Sequence, residues 1–305
     1  MNKYQFENEL GTGSFGITYL VTHKKTKKKY VLKMINITES HALKSIIKNE
    51  STILQKLSSD HNKYIVKYYK SFTTVHKNKK YICIIMEYIN GITLYDYITH
   101  YIETKKSIRP SILIRIIYNL IAGLKYIHSL NYAHRDIKLE NIMITSNGDI
   151  KYIDFGLACY KYKIVHGDTC KKIVGTITYL APEVASVLFN KNLKYKKYKN
   201  IYSENIIHAK AGDVWSLSIV IYLVCNKKTQ LFDHVKNNIP SSYILNDTIT
   251  SSQLSILQAI LTNKINPSTY KLNTTINKFV NFIIVKNWKI RPTINQLYTI
   301  FLDFF

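Results

Sequence analysis

A lysine in the middle of the strand-like run "YVLKMI" is the strongest constraint on how this chain can fold. Lys33 is flanked by Val31, Leu32, Met34 and Ile35, so an inward-facing ammonium at that position has to find anions. Seventeen residues later a second stranded charge occurs. Leu43, Ile47, Glu50, Leu54 and Leu57 recur at spacings of three and four, which places them on one face of a helix, and Glu50 is the only acid on that apolar face. A helix laid against the sheet would satisfy both charges at once. The surrounding pattern agrees, because "YQFENELGTGSFGITYLVTHKKTKKKYVLKMI" alternates apolar and polar residues around a glycine turn and a lysine-rich turn, as antiparallel hairpins do. After "MEYINGITLYDYI" the periodicity becomes helical, clearest in "SILIRIIYNLIAGLKYIHSL". Two short strands, "NIMIT" and "IKYID", flank "SNGD", whose Asn-Gly pair signals a two-residue hairpin. Strand and helix therefore segregate by half, which predicts an α+β chain with a small antiparallel sheet and a larger helical part.

Three further stretches carry chemistry. "GTGSFG", Gly11 to Gly16, lets backbone amides approach phosphate closely, but it does not open a helix and no acid lies between Glu9 and Glu39, so a dinucleotide-binding turn is excluded. Strand, glycine turn, strand instead describes a flap over a nucleotide, whose phosphates would be anions for Lys33 alongside Glu50. "HRDIKLEN", His134 to Asn141, contains Arg135, one of only four arginines among 43 basic residues. "IDFG", Ile153 to Gly156, puts Asp154 at a strand end. Phosphoryl transfer from ATP needs Mg²⁺ held by hard oxygen ligands, which Asn141 and Asp154 can supply. Asp136 would accept or orient the proton of an attacking hydroxyl, and Lys138 would steady the γ-phosphate. His134, Ile137 and Leu139 would hold the loop.

These motifs, "GTGSFG", "YVLK", "HRDIKLEN", "DFG" and "APE" (Ala181 to Glu183), stand in an order and at spacings that resemble the eukaryotic-type protein kinases. The resemblance covers nearly the whole chain and implies a bilobal protein-kinase-like fold, with an N-lobe over 1–88, a C-lobe over 89–305 and an activation segment over 154–183. It implies a nucleotide site formed by Leu10, Gly11, Thr12, Gly13, Ser14, Phe15, Gly16, Thr18, Val31, Lys33, Met86, Glu87 and Ile89, with Met86 as gatekeeper and the backbone of 87–89 as the hinge bonding adenine. Catalytic roles fall to Asp136, Lys138, Lys33 and Glu50, and metal binding to Asn141 and Asp154. ATP and Mg²⁺, or Mn²⁺, are the implied cofactors. Lys138 and Thr176 resemble the serine/threonine rather than the tyrosine class, with Thr176 bridging Asp136 and Lys138, so the expected substrate is a protein Ser or Thr hydroxyl. The alternative is a catalytically silent scaffold of the same fold. Asp213 in "GDVWSLS" resembles a buried anchor, and Arg291 in "IRPT" the partner of Glu183. Arg135 implies control by phosphate on the activation segment, with Thr169 as candidate. Thr18, Val31, Ile177, Ser218 and the pair Asn287–Trp288 depart from the family's usual residues.

Composition adds exclusions more than assignments. Hydrophobic residues at 46% and charged residues at 20% are globular, and no apolar run is long enough to be expected to span a bilayer. "MNKYQFENEL" has no apolar core of a secretory signal, so a cytoplasmic setting is expected. Four cysteines without C-x-x-C spacing read as free thiols. Abundant Lys, Asn, Ile and Tyr with few Arg, Gly and Pro is the style of an AT-rich genome, such as that of a protist, a parasite or a large DNA virus, and a viral source would make host cytoplasm or virion the setting. That style accounts for the net charge of +24, so nucleic acid is not the expected partner. A basic insertion at about 187–208, with its tyrosine- and lysine-rich core from Asn190 to Asn205, reads as a solvated loop that could recruit an acidic partner.

Overall fold

Two successive hairpins build the first part of the molecule. β1 (Tyr4–Gly13), β2 (Gly16–His23) and β3 (Lys29–Asn36) run antiparallel, and β4 (Tyr68–His76) and β5 (Lys79–Glu87) complete a five-stranded sheet of order β1-β2-β3-β5-β4. The lysine-rich turn closes with Lys27 in the left-handed region, and Asn78 plays the same part between β4 and β5. The computed structural model describes residues 3–13, 16–38, 50–58, 62–76, 78–160, 173–192, 206–231, 250–262, 265–266 and 273–305. Of the helix expected over the 40–57 stretch, residues 50–57 are described and are helical (α1).

The sheet buries both faces, which decides where Lys33 goes. Leu32 and Met34 pack with Tyr4, Val21, Cys83 and Ile85 in an outer core, with Tyr19, Tyr30, Phe72 and Tyr81 packed against it. Strand alternation sends Lys33 and Ile35 to the opposite face, where Ile35 and Ile84 share a core with Ile53, Leu54 and Leu57 of α1. At roughly 25 cal/mol per Å² of apolar surface buried, each such aliphatic side chain contributes about 1.5–3 kcal/mol toward holding α1 on the sheet.

The rest is mainly helical: α2 (Leu94–Glu103), α3 (Pro110–Ser129), α4 (Pro182–Asn192), α5 (Ile206–Asn226), α6 (Ser251–Thr262), α7 (Thr274–Ile283) and α8 (Ile294–Phe304). Start signals are explicit: Thr93 caps α2, Pro110 opens α3, and Thr293 with Gln296 forms a capping box on α8. Among the described residues α3 alone is long and apolar enough to cross a membrane. It is a core helix here, with Leu113, Ile116, Ile117, Leu120, Ile121 and Leu124 buried. From Val214 to Cys225, α5 buries apolar residues around its whole circumference, as a helix enclosed by the core does.

A second sheet joins β6 (Gly91–Thr93), β8 (Ile142–Thr145) and β9 (Ile150–Tyr152), and β7 (Tyr132–Ala133) pairs with β10 (Cys159–Tyr160). The expected "SNGD" hairpin forms with three loop residues rather than two. Thr145 and Asp149 close it, and Gly148, at φ +78°, supplies the left-handed residue that follows the turn. Cys83 and Cys225 are free thiols, but Cys159 is disulfide-bonded, which corrects the free-thiol reading there: spacing along the chain does not report which sulfurs meet in space. Val187, Leu188 and Phe189 are buried on α4, while residues 193–205 at the centre of the expected insertion lie outside the described residues.

Candidate functional site

β3 carries Lys33 to the sheet face covered by α1, where its Nζ lies 2.6 Å from Glu50 Oε1 and 3.2 Å from Asp154 Oδ1. Burial works against the ammonium, but the carboxylates of Asp154 and Glu50 outweigh it and hold Lys33 above its ordinary range. Burial likewise opposes the charge on Asp154. There Lys33 wins and its carboxyl sits below the usual value. Glu50 goes the other way, because burial exceeds the pull of Lys33. Asp154 stands two residues beyond the end of β9, and the Gly156 amide donates to its Oδ1 at 3.1 Å.

The segment 134–141 is shaped by a buried acid on α5. Asp213 accepts from the His134 amide at 2.8 Å, the Arg135 amide at 2.7 Å and His128 Nε2 at 2.9 Å. These bonds hold Arg135 in the left-handed region, at φ +65°, an uncommon conformation for a residue with a long side chain. Gly175 packs so closely there that a Cβ would stand 2.8 Å from the Arg135 carbonyl oxygen. The Arg135 side chain donates through Nε to the Leu157 carbonyl at 2.7 Å.

The turn then presents Asp136, Lys138 and Asn141 together, all buried. Asp136 Oδ1 accepts from Thr176 Oγ1 at 2.7 Å, and Oδ2 from Asn141 Nδ2 at 2.8 Å. Lys138 Nζ reaches Thr176 Oγ1 at 3.1 Å and Asp136 Oδ2 at 3.5 Å. The Asn141 amide nitrogen also donates to the Asp136 carbonyl at 2.9 Å. With both bonds made by the nitrogen, the amide oxygen faces the other way. The Asn141 carbonyl accepts from the Ile153 amide at 3.1 Å, which seats Asn141 beside Asp154.

These oxygens suit a hard divalent cation. No cluster of three or more His, Cys, Asp or Glu capable of holding a metal occurs among the described residues. A carboxylate and an amide oxygen fit an ion that takes its remaining ligands from phosphate and water, as Mg²⁺ does.

The glycine flap is described at Gly11, Thr12, Gly13 and Gly16, while Ser14 and Phe15 lie outside the described residues. Gly16 is obligatory, since a Cβ would come within 2.2 Å of the Met34 carbonyl oxygen. Register places Thr18 opposite Lys33 and Val31 opposite Met86. Leu10 is half exposed on β1 and Ile89 is buried. Glu87 ends β5, and its side chain turns to Lys67 and Lys151. Lys151 and His128 were missed in the sequence, and neither had a signal: one is a lysine in a lysine-rich chain, the other a histidine on an apolar helix.

At the far side, Arg291 grips Glu183 through two parallel bonds of 2.7 and 3.0 Å. Ser218, where the family usually has glycine, donates to the Val214 carbonyl and shares its hydroxyl with the Ile283 carbonyl, at 2.9 and 3.1 Å, which ties α5 to α7. Thr169 lies outside the described residues.

Residues 4–300 match the protein kinase domain family. The chain is 31% identical over 239 residues to a probable serine/threonine-protein kinase, fhkA, of Dictyostelium discoideum, covering 73% of this chain and 38% of that protein. It is 30% identical to calcium-dependent protein kinase 27 of Arabidopsis thaliana, over 77% of this chain and 45% of the relative. It is also 30% identical to the RAC serine/threonine-protein kinase of Drosophila melanogaster, over 74% and 33%. It thus spans less than half the length of each of these relatives. A match over nearly the entire chain, on a five-stranded sheet and helical body that bring the lysine, acids and amide together, shows that the chain belongs to the protein kinase family.

Proposed function

We propose that this chain is an active serine/threonine protein kinase that transfers the γ-phosphate of ATP to hydroxyls of protein substrates with Mg²⁺ bound. The observation that carries this reading is the complete buried set around Asp136: Thr176 on one carboxylate oxygen, Asn141 on the other, and Lys138 within reach of both Thr176 and Asp136. A silent scaffold would have no need to satisfy so many buried polar groups around one acid.

In this reading Asp136 orients the substrate hydroxyl and receives its proton, with its second oxygen held by Asn141. Lys138 lies within 3.1 Å of Thr176 and stabilises charge on the transferring phosphoryl group. Lys33, held by Glu50, aligns the nucleotide phosphates, and Gly11, Thr12, Gly13 and Gly16 admit them beneath the flap. Asp154 and the oxygen of Asn141 would hold Mg²⁺, which neutralises phosphate charge when bound. Val31 and Met86, side by side across β3 and β5, would wall the adenine pocket, and Thr18 would add a polar group.

Labelled ATP with Mg²⁺ and a mixture of casein and histone tests the reading beside Asp154→Asn, with melting curves as the folding control. Incorporation of label by the natural chain, reduced about 10²- to 10³-fold in the variant, is the expected result. Equal labelling by both proteins would overturn it.

A further inference from the structure

The hinge is braced from behind by an ion pair that the glycine flap, catalytic turn and metal ligands do not use. Glu87 Oε1 lies 2.6 Å from Lys151 Nζ and accepts from the Lys67 amide at 2.8 Å. The Glu87 amide returns a bond to the Lys67 carbonyl at 2.9 Å, and Lys151 Nζ also reaches the Ile65 carbonyl at 3.4 Å. Segment 64–67 is stitched on its other side to β9, where Tyr152 donates to the Tyr64 carbonyl at 2.8 Å and accepts from the Val66 amide at 3.0 Å. The pair is about four-fifths shielded at both ends, so water weakens it less than a surface pair. By contrast, Lys24, Lys25, Lys28, Lys29, Lys70, Lys79 and Lys80 make no ion pair with any described residue. Lys151 stands three residues before Asp154 on the same strand exit.

We infer that Lys151 is a positioning residue, which fixes the hinge backbone relative to Asp154 so that the base and the phosphates of one nucleotide are registered together. The inference rests on the proposed ATP-dependent reading. Lys151 acts through Glu87 and the 64–67 segment. Because the hinge holds the base equally in ground and transition states, loosening it weakens nucleotide binding more than it slows transfer.

Lys151→Met should therefore raise KM for ATP roughly fivefold while kcat stays within about twofold. Glu87→Gln should raise KM by the same factor, and the double variant by no more than either single one, since each breaks one shared interaction. Lys151→Arg should restore KM. Unchanged KM in both single variants, multiplied effects in the double variant, or a rise in kcat would each overturn the inference. Hydrogen exchange without nucleotide separates this from failure of the kinase reading. If the natural chain labels no substrate, the activity proposal falls, and the brace is read from the Lys67 and Glu87 amides alone. Exchange about tenfold faster in Lys151→Met supports the brace, and unchanged exchange sinks it.

Discussion

Two buried glutamate–cation pairs hold this molecule, and they are built for opposite ends. Glu183 meets Arg291, whose five N–H groups are all engaged: Nη1 with Glu183 and the Ala211 carbonyl, Nη2 with Glu183 and the Lys286 carbonyl, and Nε with the Val285 carbonyl. The guanidinium also lies 5.3 Å from the Trp215 ring. Glu50 meets Lys33, a point charge shared with Asp154. A planar fork with every donor fixed cannot let go without leaving buried groups unsatisfied, whereas an ammonium on a flexible stem can exchange one anion for another. The chain has four arginines among its 43 basic residues, and one stands where the scaffold needs a fork. The lysine stands where the proposed function requires phosphate to be admitted.

The sharpest way to break this comparison is at Arg291. Arg291→Met leaves Glu183 buried without its cation and should cost about 3–5 kcal/mol in urea unfolding. A loss below about 1 kcal/mol would mean that the fork is ornamental. Lys33→Met should behave differently. Burial already pushes the Glu50 carboxyl up, so Glu50 can take a proton when its partner goes, and the stability loss should stay near 1–2 kcal/mol. Phosphate transfer should fall about 10²- to 10³-fold. Equal destabilisation by the two variants would erase the distinction.

How legible each pair was follows from the chemistry of its residues. Lys33 and Glu50 stood out because each is a charge on an otherwise apolar face, and two such charges have to be reconciled by folding. Asp136, Lys138, Asn141 and Asp154 stood out because the phosphoryl chemistry proposed for this chain needs those groups, and the structure brings the first three together and sets Asp154 against Lys33. The brace between Glu87 and Lys151 was not, since 64 residues separate the partners, Lys151 alone reads as a solvated lysine, and the resemblance marks Glu87 only for its hinge backbone. The second core on the outer face of the sheet was hidden for a related reason. Alternation in "YVLKMI" puts Leu32 and Met34 on the face opposite Lys33, but what buries them, Tyr4, Val21, Cys83 and Ile85 with four further aromatic rings, comes from all five strands. The disulfide at Cys159 and the third residue in the Gly148 turn are likewise consequences of approach in space.

His134 offers a third way to house a buried polar side chain, as a neutral ring, and it gives the smallest expected effect. The imidazole is fully buried against Phe155 and Tyr152, its Nδ1 faces the Asp136 amide at 3.3 Å, and Nε2 has no hydrogen-bond partner among the described residues. Burial drives its value below the ordinary 6.5, against the pull of Asp213, Asp136 and Asp154. Below pH 6.5 the unfolded chain therefore binds a proton that the folded chain refuses, and stability falls as pH drops through that window, by at most about 1.4 kcal/mol per pH unit. His134→Phe keeps the ring stacking and removes the titration. The stability difference between pH 7.5 and 5.5, measured by urea unfolding, should be smaller in the variant than in the natural chain, because every other group titrates alike in both. Parallel pH dependences would show that His134 is accommodated as a cation, and that this site houses charge in the way Lys33 and Arg291 do.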